Sequence, residues 1–178
     1  MRVQNYTFYM KTLIKKKTTI SDKDNLILLC DEKSKLSDFN LSKQELEYIK
    51  KEQKDNKEIV AINQYGRHIF IILPKKEKDI NKHAENCRLI GDILAGKLKD
   101  VKSSLIIDIK ENQTEAMQIA EGMALSNYTF TKHKTEGKAN KLETIYMCKN
   151  SNKKNLTELQ NIVDAVYFTR NLINEPFS

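Results

Sequence analysis

The chain has 178 residues, of which 39% are hydrophobic and 31% charged, which suits one domain with its own core and leaves no room for a second full domain. Its net charge of +7 raises the question of nucleic acid. The excess is nearly all lysine, arginine stands only at Arg2, Arg67, Arg88 and Arg170, and acidic residues are interleaved throughout, so a solvated surface is expected and a nucleic-acid partner is not.

In chain order, the first 20 residues mix β-formers (Tyr6 to Met10) with the lysine run Lys15 to Lys17 and predict one or two exposed strands. Asn25 to Cys30 is a short continuous apolar run, the pattern of a strand buried on both faces. Ser42 and Glu45 have capping-box spacing ahead of a helix that carries Leu46 and Ile49 on one side and ends near Asp55 and Asn56. Ile59 to Ile62 and His68 to Leu73 form a predicted hairpin, with Gly66 expected to supply a positive φ in the turn and Pro74 ending the second strand. A long helix follows, with Ile80, Ala84, Cys87, Ile90 or Gly91, Leu94 and Leu98 inward.

Ser103 to Asp108 is a further buried strand, and Asn112 with Glu115 caps a helix that turns Ala116, Ile119, Ala120, Met123 and Ala124 inward. Leu142 to Cys148 predicts a later strand, after a polar connector that includes Gly137. A final helix is expected over about 155–174, capped by Asn155 and Glu158, with Leu159, Ile162, Val163, Val166 and Ile173 as its stripe. Helices interspersed with buried strands imply a three-layer α/β/α sandwich around a mixed central sheet.

Candidate chemical groups are sparse. Cys30, Cys87 and Cys148 are widely separated, sit in apolar segments and form no Cys-x-x-Cys pair, which favours buried thiols in a reducing compartment. His68, His83 and His133 show no recognised metal-ligand spacing, so no metal site is expected. Gly91 to Lys97 has the spacing of a phosphate-binding loop, but Leu98 stands where Ser or Thr must hold magnesium and the segment lies within a helical pattern. There Gly91 is expected at a helix contact and Gly96 at a C-terminal cap. Neither His83 with Glu85 nor His133 with Glu136 has a nucleophile or metal beside it, and Cys30 lacks a partner histidine; all are expected to be structural or surface residues. No catalytic, cofactor-binding or metal-binding residue is assigned.

Two motifs near the end are more specific. Residues 121–134 (Glu121-Gly122-Met123-Ala124-Leu125-Ser126-Asn127-Tyr128-Thr129-Phe130-Thr131-Lys132-His133-Lys134) are expected to make a helix-to-strand joint, with Tyr128 and Phe130 alternating as in a strand. Thr169-Arg170-Asn171-Leu172-Ile173-Asn174-Glu175-Pro176 ends the last helix, because Pro176 forces its predecessor out of helical geometry. In this order and separation the pair resembles the leucyl aminopeptidase (cytosol aminopeptidase) family of metallopeptidases, where similar runs close the N-terminal domain. The chain departs from the family's usual residues at Ser126, commonly glycine, and Asn171, commonly aspartate.

The resemblance implies a macro-domain-like fold and makes residues 1–178 a single accessory domain, whose last helix leads toward a catalytic domain expected beyond Ser178. It also implies a cytoplasmic parent enzyme that removes N-terminal, leucine-type residues from peptides with two divalent metals, zinc or manganese. Those metals are held by the C-terminal domain, and the parent assembles as a homo-hexamer. No Asn-Thr-Asp-x-Glu-Gly-Arg type segment, the family's ligand run, occurs in this chain. The alternative is a stand-alone macro-like module binding ADP-ribose or a related nucleotide, which would need paired glycine-rich loops around a diphosphate. The five glycines, Gly66, Gly91, Gly96, Gly122 and Gly137, offer no clustered pair at a strand end. No stretch has the ~20 apolar residues of a membrane helix, and the start, Met1-Arg2-Val3-Gln4-Asn5-Tyr6, lacks the apolar core of a signal peptide, consistent with the cytoplasm and no membrane partner.

Overall fold

The computed structural model describes residues 11–130, 140–148 and 151–176. The strand expected at Tyr6 to Met10, and His133, Glu136 and Gly137, lie outside them. Six strands, β1 (Leu13–Lys16), β2 (Leu26–Leu29), β3 (Ile59–Asn63), β4 (His68–Ile72), β5 (Ser103–Asp108) and β6 (Thr144–Met147), alternate with helices α1 (Lys43–Lys54), α2 (Ile80–Lys97), α3 (Gln113–Ser126) and α4 (Lys153–Asn174). One sheet contains all six strands in the order β1-β6-β5-β2-β4-β3. Every pairing is parallel except the β3/β4 hairpin, so the sheet is mixed.

The side-chain period of a strand divides the sheet into two cores. Ile27 and Leu29 of β2, Phe70 and Ile72 of β4 and Ile106 of β5 pack under α2, α3 and α4. Their neighbours Leu26, Leu28, Ile69, Ile71, Leu105 and Ile107 face the other way, against Ile49 of α1 and Phe39. The central strands are therefore apolar on both faces, as the run at residues 25–30 implies, and the three layers α/β/α follow. Each fully buried Leu or Ile here contributes about 1.5–3 kcal/mol relative to exposure. Among the described residues no helix is long and apolar enough to cross a membrane.

Most local expectations hold. Ser42 Oγ accepts from Glu45 N, and Glu45 Oε2 accepts from Ser42 N at 2.7 Å, completing the capping box. Asn112 caps α3, and Glu175 before Pro176 is extended, at φ −72° and ψ 127°.

Four expectations are corrected. In the hairpin turn the left-handed residue is Tyr65, at φ 58°, and no described glycine has a positive φ; Asn63 Oδ1 accepts from Tyr65 N at 2.9 Å and closes the turn locally. Gly96 lies inside α2, whose cap is Leu98. Ile80 follows the capping Asp79 in the first turn of α2 and is 79% exposed. The last helix starts at Lys153 with Asn152 as its cap, which places Asn155 inside it. Its buried stripe is Leu156, Leu159, Val163 and Tyr167, while Ile162 and Ile173 face outward.

Candidate functional site

The two sequence motifs meet in space. Asn127, the C-cap of α3, is 2% exposed, and its Nδ2 donates to Thr12 Oγ1 at 2.8 Å and to the Leu142 carbonyl at 2.6 Å. Tyr167 of α4 donates its hydroxyl to the Ala124 carbonyl. Because the Tyr167 proton goes to Ala124, Thr12 Oγ1, 3.1 Å from that hydroxyl, donates to it while accepting from Asn127. This buried relay ties the start of β1 to the ends of α3 and α4.

Beside it, Arg170 Nη1 donates to the Leu125 carbonyl at 2.7 Å and its guanidinium lies 5.4 Å from the Tyr128 ring centroid. Tyr128 donates to Asn171 Oδ1 at 2.8 Å and accepts from Asn174 Nδ2 at 3.2 Å. Residues 127–130 form no strand: Asn127 is the helical C-cap of α3, and the Tyr128 side chain is turned onto α4. The joint is a packed knot whose hydroxyl, amide and guanidinium groups are engaged with one another or with backbone carbonyls.

Ligands in open α/β sheets bind outside the carboxyl ends of the strands. There, β2 and β4 border a crevice of about 570 Å³ lined by Cys30, Asp31, Lys33, Leu73, Lys75 and Lys110 among others. Cys30 is buried beneath it, and burial pushes its thiol up to about 12, so it stays protonated and donates to the Leu28 carbonyl at 3.4 Å. It is a free, buried thiol. Gly91 and Gly122 do not line the crevice. A Cβ on Gly91 would strike the Ile119 carbonyl and one on Gly122 the Arg88 carbonyl, so the two glycines let α2 and α3 touch backbone to backbone. The phosphate-loop lookalike thus lies within α2.

Where α2 and α3 meet near this edge, the structure assembles a cluster. His83 pairs with Glu115, 32 residues away, and not with Glu85, which is 3.5 Å from Arg88. His83 Nε2 is 3.0 Å from Glu115 Oε1 and 4.0 Å from Cys87 Sγ, and Nδ1 is 3.0 Å from the Lys75 carbonyl. Glu115 Oε1 also accepts from Asn112 Nδ2 at 2.8 Å, and Oε2 is ion-paired to Lys110. Cys87 is fully buried, Glu115 nearly so, and His83 half-buried; burial pushes the Cys87 thiol up to about 11. The three potential ligand atoms lie within 4.8 Å of one another. His83 is therefore half-buried and paired across the helix contact. The one-turn spacing of His83 and Cys87 was visible in the sequence, whereas Glu115 joins them only through the close helix crossing.

No protein-family model matches the sequence. No curated protein matches it either. Solved structures do match. A mutant of tomato leucine aminopeptidase superposes with a TM-score of 0.67 at 16% identity, over 97% of this chain and 40% of that one. The bottromycin maturation enzyme BotP, in complex with Mn, superposes with a TM-score of 0.60 at 12% identity, over 86% of this chain and 32% of that one. The chain thus spans well under half the length of either protein, and identities this low carry the fold and not the chemistry. Almost end to end, this chain has the fold of a domain-sized part of leucine aminopeptidase, the family that its two motifs resemble.

Proposed function

We propose that the chain is the non-catalytic N-terminal domain of a cytoplasmic metallo-aminopeptidase of the leucyl aminopeptidase type. The observation that supports this most is the shared fold, which takes in 97% of this chain and 40% of the tomato enzyme. The contact of Leu125 and Tyr128 with Arg170, Asn171 and Asn174 adds to it, since the residues carrying the family resemblance form one structural unit. In this reading α4 leads into a C-terminal domain that holds two divalent metals, zinc or manganese, removes leucine-type residues from peptide N-termini, and builds a hexamer.

The described residues of this chain do not fit that dinuclear site. Two metals bridged by a water call for several convergent carboxylates, and the one cluster of ligand-type side chains among the described residues is His83, Cys87 and Glu115. No step of peptide cleavage is assigned to the chain. Its part is to fold, to pack the two motifs together and to present α4.

Two measurements test the proposal. The purified 178-residue chain, given a leucyl amide with Mn²⁺ or Zn²⁺, is expected to release no leucine above the metal control; metal-dependent release that disappears on heat denaturation overturns the non-catalytic assignment. Intact mass and peptide mapping of the native gene product are expected to show translation beyond Ser178 into an Asn-Thr-Asp-x-Glu-Gly-Arg type segment. A native product ending at Ser178 removes the enzyme reading.

A further inference from the structure

We infer that His83, Cys87 and Glu115 form a zinc site that clamps α2 to α3. The spacing of four residues on α2 puts His83 and Cys87 one above the other on a single helix face. The first turn of α3 brings Glu115 to the same point, and the approach is fixed because Gly91 and Gly122 let the helix backbones touch. Two rigid elements thus supply an imidazole, a thiol and a carboxylate from opposite sides of a single contact.

The hydrogen bonds of His83 point to the ligand chemistry that the cluster suits. A carbonyl oxygen only accepts, so at 3.0 Å from the Lys75 carbonyl Nδ1 carries the ring proton. In the neutral ring Nε2 is then a bare lone pair, and it faces Glu115 Oε1 at 3.0 Å and the Cys87 sulfur at 4.0 Å. Two acceptors that close need a cation between them or an added proton on one. The first choice satisfies all three side chains at once, the second leaves the thiol aside. An Nδ1 proton given to a carbonyl is also the outer arrangement that orients metal-binding histidines. Glu115 is likewise held from behind, by Asn112 on Oε1 and Lys110 on Oε2.

The donor set selects the metal. One thiolate with one imidazole and one carboxylate suits Zn²⁺, whereas Mn²⁺ and Mg²⁺ favour oxygen ligands. Tetrahedral zinc with ordinary bond lengths sets N and O about 3.3 Å apart and N or O about 3.6 Å from S, so the 3.0 and 4.0 Å separations adjust by about half an ångström or less, and the Glu115 oxygen and Cys87 sulfur, within 4.8 Å of each other, close by about 1.2 Å at most. Binding releases the Cys87 proton to solvent as the thiol becomes a thiolate. The three ligands leave a fourth position on zinc for a water.

The test uses the untagged 178-residue chain, freed of metal with a chelator and titrated with Co²⁺ as a spectroscopic stand-in. The expected result is one equivalent of Co²⁺ giving a thiolate-to-cobalt charge-transfer band, removed by one equivalent of Zn²⁺ and untouched by excess Mn²⁺, with a Zn²⁺-dependent rise in Tm. Cys87→Ser is expected to abolish the band and His83→Gln to weaken Zn²⁺ binding at least tenfold, while Cys30→Ser keeps both. Absence of the band in the wild-type chain overturns the site, as does a band that survives Cys87→Ser. Because the wild-type titration and His83→Gln each stand alone, a Cys87→Ser chain that fails to fold leaves the outcome decided.

Discussion

Three helical glycines look alike in the sequence and have different consequences in the fold. At Gly122 an added methyl meets the Arg88 carbonyl, and at Gly91 it meets the Ile119 carbonyl; at Gly96 nothing lies within 4 Å. Backbone carbonyls of packed helices do not yield as the tip of a lysine would, so Gly122→Ala must push α2 and α3 apart. That strain costs about 1–3 kcal/mol and outweighs the gain in helix propensity. Gly96→Ala has no such opposition and is expected to stabilise by about 0.5–1 kcal/mol, because alanine loses less backbone entropy than glycine within a helix. Urea denaturation of the two variants beside wild type checks both signs. Two substitutions of equal effect would remove the distinction between the sites.

At the scale of elements, α1 shows how short polar contacts set a helix boundary. Ser42→Ala removes the Oγ that accepts from Glu45 N and is expected to cost about 0.5–2 kcal/mol. The Ser42 N–H donated to Glu45, assisted by the Gln64 amide, holds the Glu45 carboxyl below its usual range. A carboxyl depressed in the folded state stabilises fully above its unfolded value, about 4.3, and that share is lost as the pH falls through the lower folded value. Glu45→Gln should therefore differ from wild type at pH 6 and converge on it in acid, a comparison made by thermal unfolding across that window.

This boundary was legible in the sequence because the box lies within four residues. The start of α4 was not, since Asn152 and Asn155 are both competent caps and Glu158 favoured the second. What decides is burial of Leu156, which lies in line with Leu159, Val163 and Tyr167 only if the helix begins at Lys153. The hairpin was visible in its two β-rich runs, yet its turn was assigned to Gly66, because the Asn63 side chain that lets Tyr65 adopt φ 58° depends on local geometry. The pairing of His83 with Glu115 was beyond any local reading, as it follows from the seating of α2 on α3.

Across the whole molecule, Tyr167 joins parts of the chain that are far apart in sequence. Its hydroxyl touches Thr12 ahead of β1 and the last turn of α3, and through Thr12 it reaches Asn127, with all three side chains nearly inaccessible to water. Tyr167→Phe keeps the ring against Tyr128, 5.1 Å between centroids, but leaves the Ala124 carbonyl without this donor and the Thr12 hydroxyl without this acceptor. The expected loss is about 1–3 kcal/mol. Burial also raises the Tyr167 phenol above its ordinary value. For an acid raised in the folded state, the protonated form is preferred by the fold, so stability is complete below the unfolded value of about 10 and declines as the pH rises through the folded one. The wild-type chain should lose stability in alkali as α4 and β1 are prised from the sheet edge, and Tyr167→Phe, already weaker, should lose less over the same interval. Parallel alkaline slopes for the two proteins, measured by denaturant midpoints between pH 8 and pH 11, would show that ionisation of Tyr167 is not what weakens the fold in alkali.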